Sequence, residues 1–338
     1  MNFAPKVCSI VGKKRNMNLF ITYTPLHTKI GIQLLKHGYL TEDVLFLSLM
    51  SGSIEKNNYY LSKLPANVQV KRINLVANRL VNFIRLTLWL IENRRLLKEV
   101  HGGVVGNLKI FLTRFIFSVL NVTNVTTFDD GVGSILQGGW FKQDENILSQ
   151  FFFELINPAL VYNNIQRNVR FHFTIFPKKY CLSKAIVTEI PFVDETELAC
   201  SVTDTPKSKI RCLLMPVFFE SNQILQRSEQ DALVKRVLND YQIDCIIPHP
   251  ISAPTGISEI DEKVISTPKI AEDIILEILS KNDVDLFGFR SSVLLTMCFL
   301  KKKHGIKNFN ISNLMPLRNG KPLIESWDGD LWEDIMPP

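Results

Sequence analysis

The sequence lacks the features that mark several large classes of protein. Its six cysteines in 338 residues have neither the paired spacing of a zinc site nor the density of a disulfide-stapled secreted domain. Short internal repeats and long low-complexity tracts are absent, which excludes solenoid, collagen-like and disordered proteins. We therefore expect a globular protein whose cysteines are reduced thiols.

Long apolar runs are also scarce. A membrane span needs about 20 apolar residues, and the best candidate, 286–300, is shorter and contains Arg290, Ser291 and Ser292. The first residues do not show the charged, apolar and small-residue segments of a secretory signal in their usual order. These absences predict a cytoplasmic protein without a transmembrane helix.

The charge is only moderately basic, at +6 for the whole chain, and no nucleic-acid-binding motif is present, so we expect no nucleic-acid partner. Basic residues concentrate in 71–98, a segment that we interpret as helical. Apolar residues recur along it at Ile73, Val76, Leu80, Ile84 and Leu88. Such a face suits peripheral contact with anionic lipid, for example at the inner membrane. A surface helix whose Lys and Arg side chains lie in water is the simpler alternative.

Segments typical of strands and helices alternate along both halves of the chain. In the first half the predicted strands are 17–24, 43–51, 69–73, 103–105 and 124–128, with helices such as 28–37 and 108–120. In the second half the predicted strands are 209–215, 244–248 and 284–289, with helices at 229–241 and 270–280. Such alternation is typical of parallel, doubly wound α/β sheets.

The length of the chain exceeds what one hydrophobic core usually organises, so two domains are expected. The polar segment 203–208 separates the two alternating halves, and we place one Rossmann-like domain at 1–205 and the other at 206–338. Two such domains with a ligand cleft between them form the α/β architecture called GT-B, which is common among nucleotide-sugar transferases. Because ligands bind beyond the carboxyl ends of parallel strands, the residues that follow strands are the site candidates.

In the first half, Asp129, Asp130 and Gly131 follow the strand 124–128. Their functional interpretation is a pair of carboxylates facing a ligand, beside a glycine that permits a sharp turn and close approach. A plain strand-to-helix turn is the alternative, since Asp and Gly are common there. His172 lies on an alternating stretch, which places it in either the core or the cleft.

In the second half, three strands are followed by further candidates. His249 and Pro250 come after 244–248, and a histidine can donate a proton or pair with a phosphate near neutral pH. Ser291 and Ser292 come after 284–289 at a predicted helix start, where hydroxyls and free N–H groups suit an anion, although a simple N-cap explains them equally well. Glu220 follows the strand 209–215 and is a candidate base.

Taken together and in order, these segments resemble glycosyltransferase family 52, the bacterial lipooligosaccharide sialyltransferases. The resemblance runs from about Asn18 to Leu300, through NLFITYTPLH, TFDDGVGSI, HFTIF, IIPHP, STPKIAEDIILEIL and FGFRSSVLLTM. It implies a GT-B fold, no metal ion or other cofactor, and CMP-sialic acid as donor. It also implies inverting transfer to a terminal galactose of a surface glycolipid, commonly in α-2,3 linkage, and a family in which homodimers occur.

The resemblance also implies roles for individual residues. His249 would assist departure of CMP by protonating or pairing with its phosphate, and Ser291 and Ser292 would lie near the donor phosphate and carboxylate. The domain 206–338 would thus bind the CMP-sugar, leaving the acceptor to 1–205. Two acids compete for the role of general base, Glu220 and Asp129.

Ile251 departs from the family pattern, which often has a basic residue directly after His-Pro. Two other functions stay open at this stage. One is a GT-B glycosyltransferase that uses another nucleotide sugar, such as a glucose, galactose or Kdo-like donor. The other is a non-catalytic glycan-binding protein of surface polysaccharide assembly, in which loss of the acids Asp129, Asp130 and Glu220 would be expected.

Overall fold

The computed structural model describes residues 17–41, 43–50, 54–122, 124–135, 147–158, 161–194, 208–218, 225–249, 255–289, 291–314, 317–318 and 321–322. The chain divides into two compact units, Met1–Phe192 (unit 1) and Val193–Pro338 (unit 2). The boundary predicted between 205 and 206 lies in 195–207, outside the described residues, and stays a prediction.

Unit 1 contains a seven-stranded sheet. Its strands are β1 (Met17–Thr22), β2 (Val44–Met50), β3 (Gln69–Asn74), β4 (Val100–Val105), β5 (Asn124–Phe128), β6 (Val169–Thr174) and β7 (Ile186–Glu189). All neighbouring strands are parallel, in the order β3-β2-β1-β4-β5-β6-β7. This is the Rossmann order with one further strand at the β6 edge.

Helices cover both faces of this sheet. They are α1 (Pro25–Lys36), α2 (Ile54–Leu61), α3 (Arg79–Glu92), α4 (Arg94–Leu97), α5 (Phe111–Val119), α6 (Ile147–Ile156) and α7 (Tyr162–Asn168). Residues of α1 and α2 pack in one apolar cluster with Phe20, Phe46 and Phe128, whereas α3 to α7 pack in a second cluster with Leu19, Ile21 and Leu47. Successive residues of a strand point to opposite faces, so β1 and β2 supply both clusters.

Unit 2 contains a smaller parallel sheet. Its strands are β8 (Lys209–Leu214), β9 (Cys245–Ile247), β10 (Asp283–Gly288) and β11 (Phe309–Asn313), in the order β11-β10-β8-β9. Its helices are α8 (Arg227–Tyr241), α9 (Ser258–Asp261), α10 (Ala271–Lys281) and α11 (Ser292–His304). A parallel bridge between Ile246 and Val264 extends the β9 edge, and β12 (Leu317–Arg318) pairs with β13 (Lys321–Pro322) as a short antiparallel ribbon.

The predicted α/β class with two Rossmann-like domains is confirmed, because both units have parallel sheets with helical crossovers. The prediction of one helical segment over 71–98 is wrong. Lys71 to Asn74 belong to β3, where Ile73 is buried and pairs with Leu49. Helix α3 begins only at Arg79, because the side chain of Asn78 accepts the N–H groups of Leu80 and Val81 and caps the helix there.

No helix within the described ranges combines the length and apolar character that crossing a membrane requires.

Candidate functional site

The carboxyl edge of the unit 1 sheet gathers polar side chains from β1, β4, β5 and β6. We define the acid cluster as His27, Asn107, Asp129, Asp130 and His172. His27 follows β1 in the chain, Asn107 follows β4, the two aspartates follow β5, and His172 lies within β6. These strands are parallel neighbours in the sheet, so residues at their ends meet at one edge.

Local sequence places His27 in the first turn of α1. Thr24 is the N-cap, and its hydroxyl accepts the His27 N–H at 3.3 Å. Pro25 occupies the first turn, where its lack of an N–H costs no helical hydrogen bond. The imidazole is fully buried and lies edge-on to Phe128, with ring centroids 5.2 Å apart. Gly106 leaves the room that the ring needs, because a Cβ there would lie 3.0 Å from His27 Cε1 and Nε2.

Asp130 accepts hydrogen bonds from both neighbouring polar side chains. Its Oδ1 lies 2.8 Å from His27 Nε2, and its Oδ2 accepts from Asn107 Nδ2 at 3.0 Å. The backbone N–H of Tyr23 points at His27 Nδ1 from 3.3 Å, so Nε2 carries the hydrogen that is donated to Asp130. Burial raises the pKa of Asp130, but its interactions with His27 and the hydrogen bond from Asn107 lower it below the ordinary value. The Asp130 carboxylate is therefore held ionised.

Asp129 has the opposite surroundings. It is fully buried, its Oδ1 accepts from Ser134 Oγ and from His172 Nε2 at 3.1 Å, and its Oδ2 accepts the Ile175 N–H at 2.6 Å. Gly131, with a φ of +60°, turns the chain into the short 3-10 helix Gly131–Ser134, which brings Ser134 back to Asp129. Asp129 thus ties the loop after β5 to β6.

His172 completes this buried pair and lies in the core, which decides between the two predicted positions. Its Nδ1 lies 2.8 Å from Thr127 Oγ1, and the side chain is fully buried. Burial works to lower the pKa of His172, but hydrogen bonds and charge interactions with Asp129 and Cys181 raise it to about 9. The imidazolium and the Asp129 carboxylate therefore neutralise each other inside the sheet edge.

Of the two adjacent acids, only Asp130 is reached by solvent, with 30% of its side chain exposed. Both oxygens of Asp129 have protein donors. A substrate hydroxyl that enters from solvent therefore meets the Asp130 carboxylate before it meets Asp129. The predicted role of Asp129 as base stays a prediction.

In unit 2, the carboxyl edge of the sheet carries the other predicted residues. His249 is exposed two residues beyond the end of β9, and Ser291 and Ser292 are half-buried just beyond β10. Strand β8 lies between β9 and β10, so both positions follow strands at the same edge. Glu220 and Pro250 lie outside the described residues.

Ser291 is the N-cap of α11, as the simpler of the two interpretations expected. Its Oγ accepts the Leu294 N–H at 3.2 Å, and its C=O accepts the Leu295 N–H at 3.3 Å. A hydroxyl that accepts a hydrogen bond still has its own hydrogen to donate. The cap and the partial positive charge of the 13-residue helix α11 thus leave this end suited to an anion.

Comparison with known proteins identifies the family of the chain. The profile of glycosyltransferase family 52 matches residues 43–309, which is most of its length. The chain belongs to glycosyltransferase family 52. It is a glycosyltransferase, and the family predicted from the six sequence segments is confirmed.

Two curated relatives extend this finding for the family 52 enzyme. CMP-N-acetylneuraminate:beta-galactoside alpha-2,3-sialyltransferase of Pasteurella multocida is 25% identical over 83% of this chain and 87% of its own. N-acetyllactosaminide alpha-2,3-sialyltransferase of Neisseria meningitidis is 23% identical over 83% of this chain and 75% of its own. Among solved structures, UDP-GlcNAc 2-epimerase from Methanocaldococcus jannaschii is 12% identical, covering 88% of this chain and 89% of that one, with a TM-score of 0.46.

Sequence reasoning missed two members of the acid cluster, His27 and Asn107. The rule that selected Asp129 and Asp130, namely that residues after strands face the ligand edge, applies equally to β1 and β4. The segment Thr24-Pro25 also signals a helix start, which places His27 in the first turn. Both signals were present in the sequence of this family 52 enzyme.

Within the described parts of the chain, no group of three or more His, Cys, Asp and Glu side chains is arranged to hold a metal ion. Independence of metal stays a prediction.

Proposed function

We propose that this family 52 enzyme transfers sialic acid from CMP-sialic acid to a terminal galactose of lipooligosaccharide or a related surface glycan. We further propose α-2,3 linkage, inversion at the anomeric carbon, and no metal ion or other cofactor. The family and the names of the two curated relatives support this choice. The structural observation that carries it is the placement of His249 and the Ser291-capped N-terminus of α11 at one edge of the unit 2 sheet.

The chemistry of the donor explains why such groups are needed. The acceptor hydroxyl oxygen bonds to the anomeric carbon of sialic acid while the bond from that carbon to the phosphate oxygen of CMP breaks. The electron pair leaves with CMP, so negative charge develops on a phosphate. His249 would donate a proton to it or pair with it, and the Ser291 hydroxyl and free N–H groups of α11 would stabilise the charge. Ser292, which also opens α11, would contribute donors to the same phosphate or to the sialic acid carboxylate.

A base must take the proton of the acceptor hydroxyl. We propose Glu220 or the Asp129–Asp130 pair for this role. Within the pair, Asp130 is the ionised and partly exposed carboxylate, which supports direct contact with substrate by Asp130. Gly131 permits close approach of a ligand to the backbone, while His172 supports Asp129 from the core. Pro250 would stiffen the loop that presents His249.

The test is to mix purified protein with CMP-sialic acid and a fluorescent lactose-terminated acceptor, with and without EDTA, and to detect sialylated product by mass spectrometry. We expect product under both conditions. We expect His249→Ala to lower the rate about 100-fold, the scale of losing acid–base assistance. His101→Ala, at an exposed histidine of β4, is the matched control and should leave the rate unchanged.

Other results would redirect the proposal. If CMP-sialic acid gives no product and CMP gives no thermal shift, other nucleotide sugars should be tested in its place, because any ligand of the folded state raises its melting temperature. Stabilisation by a glycan without turnover of any nucleotide sugar would favour a glycan-binding protein. Loss of product with EDTA would contradict metal independence.

A further inference from the structure

Two cysteines of unit 2 lie side by side in its sheet. Cys212 of β8 and Cys245 of β9 are direct partners in the parallel register. Their sulfur atoms lie 3.4 Å apart, although the residues are 33 positions apart in the chain. Both are free thiols in the structure. A buried cysteine usually acts as a small apolar side chain, so a contact between two thiols at this distance requires an explanation.

The strand pairing around the two cysteines meets the geometric requirements of a disulfide. Neighbouring strands of a sheet lie about 4.8 Å apart, which is within the range of about 4.4 to 6.8 Å that disulfides span between Cα atoms. From 3.4 Å, the two sulfurs need to approach by roughly 1.4 Å to reach the S–S bond length of about 2.0 Å. Rotation about the two Cα–Cβ bonds can supply this movement without separating the strands.

Hydrogen bonds on both sides of the pair fix the register of β8 and β9. Just before it, Asp244 Oδ2 accepts the Arg211 N–H at 2.8 Å, and the Asp244 N–H donates to the Arg211 C=O at 2.9 Å. Beyond it, the Met215 N–H donates to the Ile247 C=O at 2.9 Å. The backbone therefore holds the two thiols together in the folded protein.

The two thiols are not equivalent. Cys212 is fully buried, whereas Cys245, on the edge strand, is half-buried. The hydrogen bond with Cys212 and the charge of Lys263 lower the pKa of Cys245, against burial and the charge of Asp244, which raise it. The same hydrogen bond, followed by burial, raises the pKa of Cys212. Cys245 therefore ionises first, the Cys212 thiol donates to it, and the more accessible sulfur is the nucleophile.

We propose that Cys212 and Cys245 form a redox-active dithiol, which a hydroperoxide oxidises to an intrachain disulfide and a dithiol reductant restores. With hydrogen peroxide, the Cys245 sulfur bonds to one oxygen while the O–O bond breaks, giving a sulfenic acid and a hydroxide that takes up a proton. The Cys212 sulfur then bonds to the Cys245 sulfur, and the sulfenic hydroxyl leaves with the Cys212 proton as water. The two sulfurs lose two electrons in total, which reduce the peroxide to two water molecules.

The disulfide would cross-link the strand that precedes His249. Strand β9 lies at the edge of the unit 2 sheet, pairs with β8, and ends at Ile247. Oxidation would thus join covalently two strands that backbone hydrogen bonds already hold together. The inference concerns the thiol chemistry of unit 2 and does not depend on the proposed function.

The test is peptide mapping of the reduced full-length protein after treatment with hydrogen peroxide. Thiols that stay free are blocked with N-ethylmaleimide at acidic pH before digestion, which prevents disulfide exchange. We expect the number of free thiols measured in denaturant to fall by two, from six to four. Mass spectrometry should show two peptides joined through Cys212 and Cys245, which dithiothreitol separates.

Two variants separate the steps of the oxidation. Cys212→Ser removes the second thiol, so the sulfenic acid of Cys245 should persist and react with dimedone at least about tenfold more than in the parent. Cys245→Ser removes the nucleophile and should leave Cys212 reduced. Cys298→Ser, at a buried thiol of α11, is the matched control and should form the disulfide like the parent.

A disulfide between any other two cysteines, or a Cys212–Cys245 bond that forms only in urea, would overturn the proposal. Equal dimedone labelling of Cys212→Ser and the parent would also contradict it. Covalent dimers on a non-reducing gel would assign the oxidation to contacts between chains instead. The peptide map of the parent requires no substitution, so the test holds even if a variant does not fold. Transfer to the lactose acceptor is measured separately under reducing conditions, so a failure of the proposed function is distinguishable from a failure of this proposal.

Discussion

At the scale of single residues, two adjacent aspartates have opposite environments. Asp129 is buried with both oxygens bound by protein donors, and Asp130 is partly exposed and bound by His27 and Asn107. The two aspartates directly follow strand β5, and consecutive side chains at the end of a strand point to different sides. One acid of the pair therefore holds the loop, and the other faces the ligand side.

This difference predicts a separation of stability from activity. Asp129→Asn leaves the buried His172 cation without its partner and should lower the free energy of unfolding by about 3 kcal/mol. Asp130→Asn keeps a side chain of the same shape at a partly exposed position, so it should cost less than about 1 kcal/mol but lower transfer to the lactose acceptor at least tenfold. Urea unfolding and the product assay measure the two effects. Equal stability losses in both variants would contradict the assignment.

His172 should make stability depend on alkaline pH. Its pKa in the folded protein, about 9, lies above the 6.5 of an unfolded chain, so the folded state binds the proton more tightly. Its stabilising contribution is complete below pH 6.5 and is lost as the pH rises through 9. Between pH 6 and 10, the free energy of unfolding should fall by up to about 3 kcal/mol more in the parent than in His172→Gln. Parallel pH profiles for the two proteins would show that the pKa is not raised.

At the scale of elements, most strands were predictable, including the edge strands β3 and β9. Strands β5 and β8 were located to within one residue, because apolar runs between turn residues are typical of parallel strands covered on both faces. Strands β7 and β11 were missed, since each is largely exposed or half-buried and lacks an apolar run. The helical interpretation of 71–98 failed where β3 ends, because Ile73 fits the apolar period of either element.

The start of α11 offers a prediction at this scale. Asn, Asp and Ser are comparable N-caps, so Ser291→Asn and Ser291→Asp should keep the stability of the parent, whereas Ser291→Ala should lose about 1 kcal/mol. If α11 binds the phosphate of CMP, the added carboxylate of Ser291→Asp should repel it and abolish the thermal shift that CMP causes. Ser291→Asn, which is uncharged and caps equally well, is the matched control. A CMP shift retained in Ser291→Asp would contradict a phosphate site at this helix.

At the scale of the whole molecule, the position of a candidate residue was predictable where it depends on a single strand. Asp130, His249 and Ser291 each follow a strand that the local sequence reveals. His27 joins Asp130 only because the strand order places β4 alone between β1 and β5. Strand order is decided by packing of the complete sheet, so the sequence near His27 does not disclose its partner 103 residues away.

The candidate residues divide between the two units, and this division leads to a prediction. The groups that we assign to the donor, His249, Ser291 and Ser292, all belong to unit 2, while the acid cluster belongs to unit 1. Hydrogen exchange with mass spectrometry on the full chain should therefore show that CMP slows exchange most strongly in unit 2, in the first turn of α11 and after β9, because bound N–H groups open less often.

In the same experiment, the parent and Ser291→Asp should differ only in that nucleotide-dependent protection. The parent should show it in 291–295, and Ser291→Asp should not, although both fold. Strongest protection at the acid cluster of unit 1, with none at α11, would assign the nucleotide to the other sheet and reverse the roles of the two units. Because each sheet has its own core and its own carboxyl edge, the location of protection discriminates between these assignments.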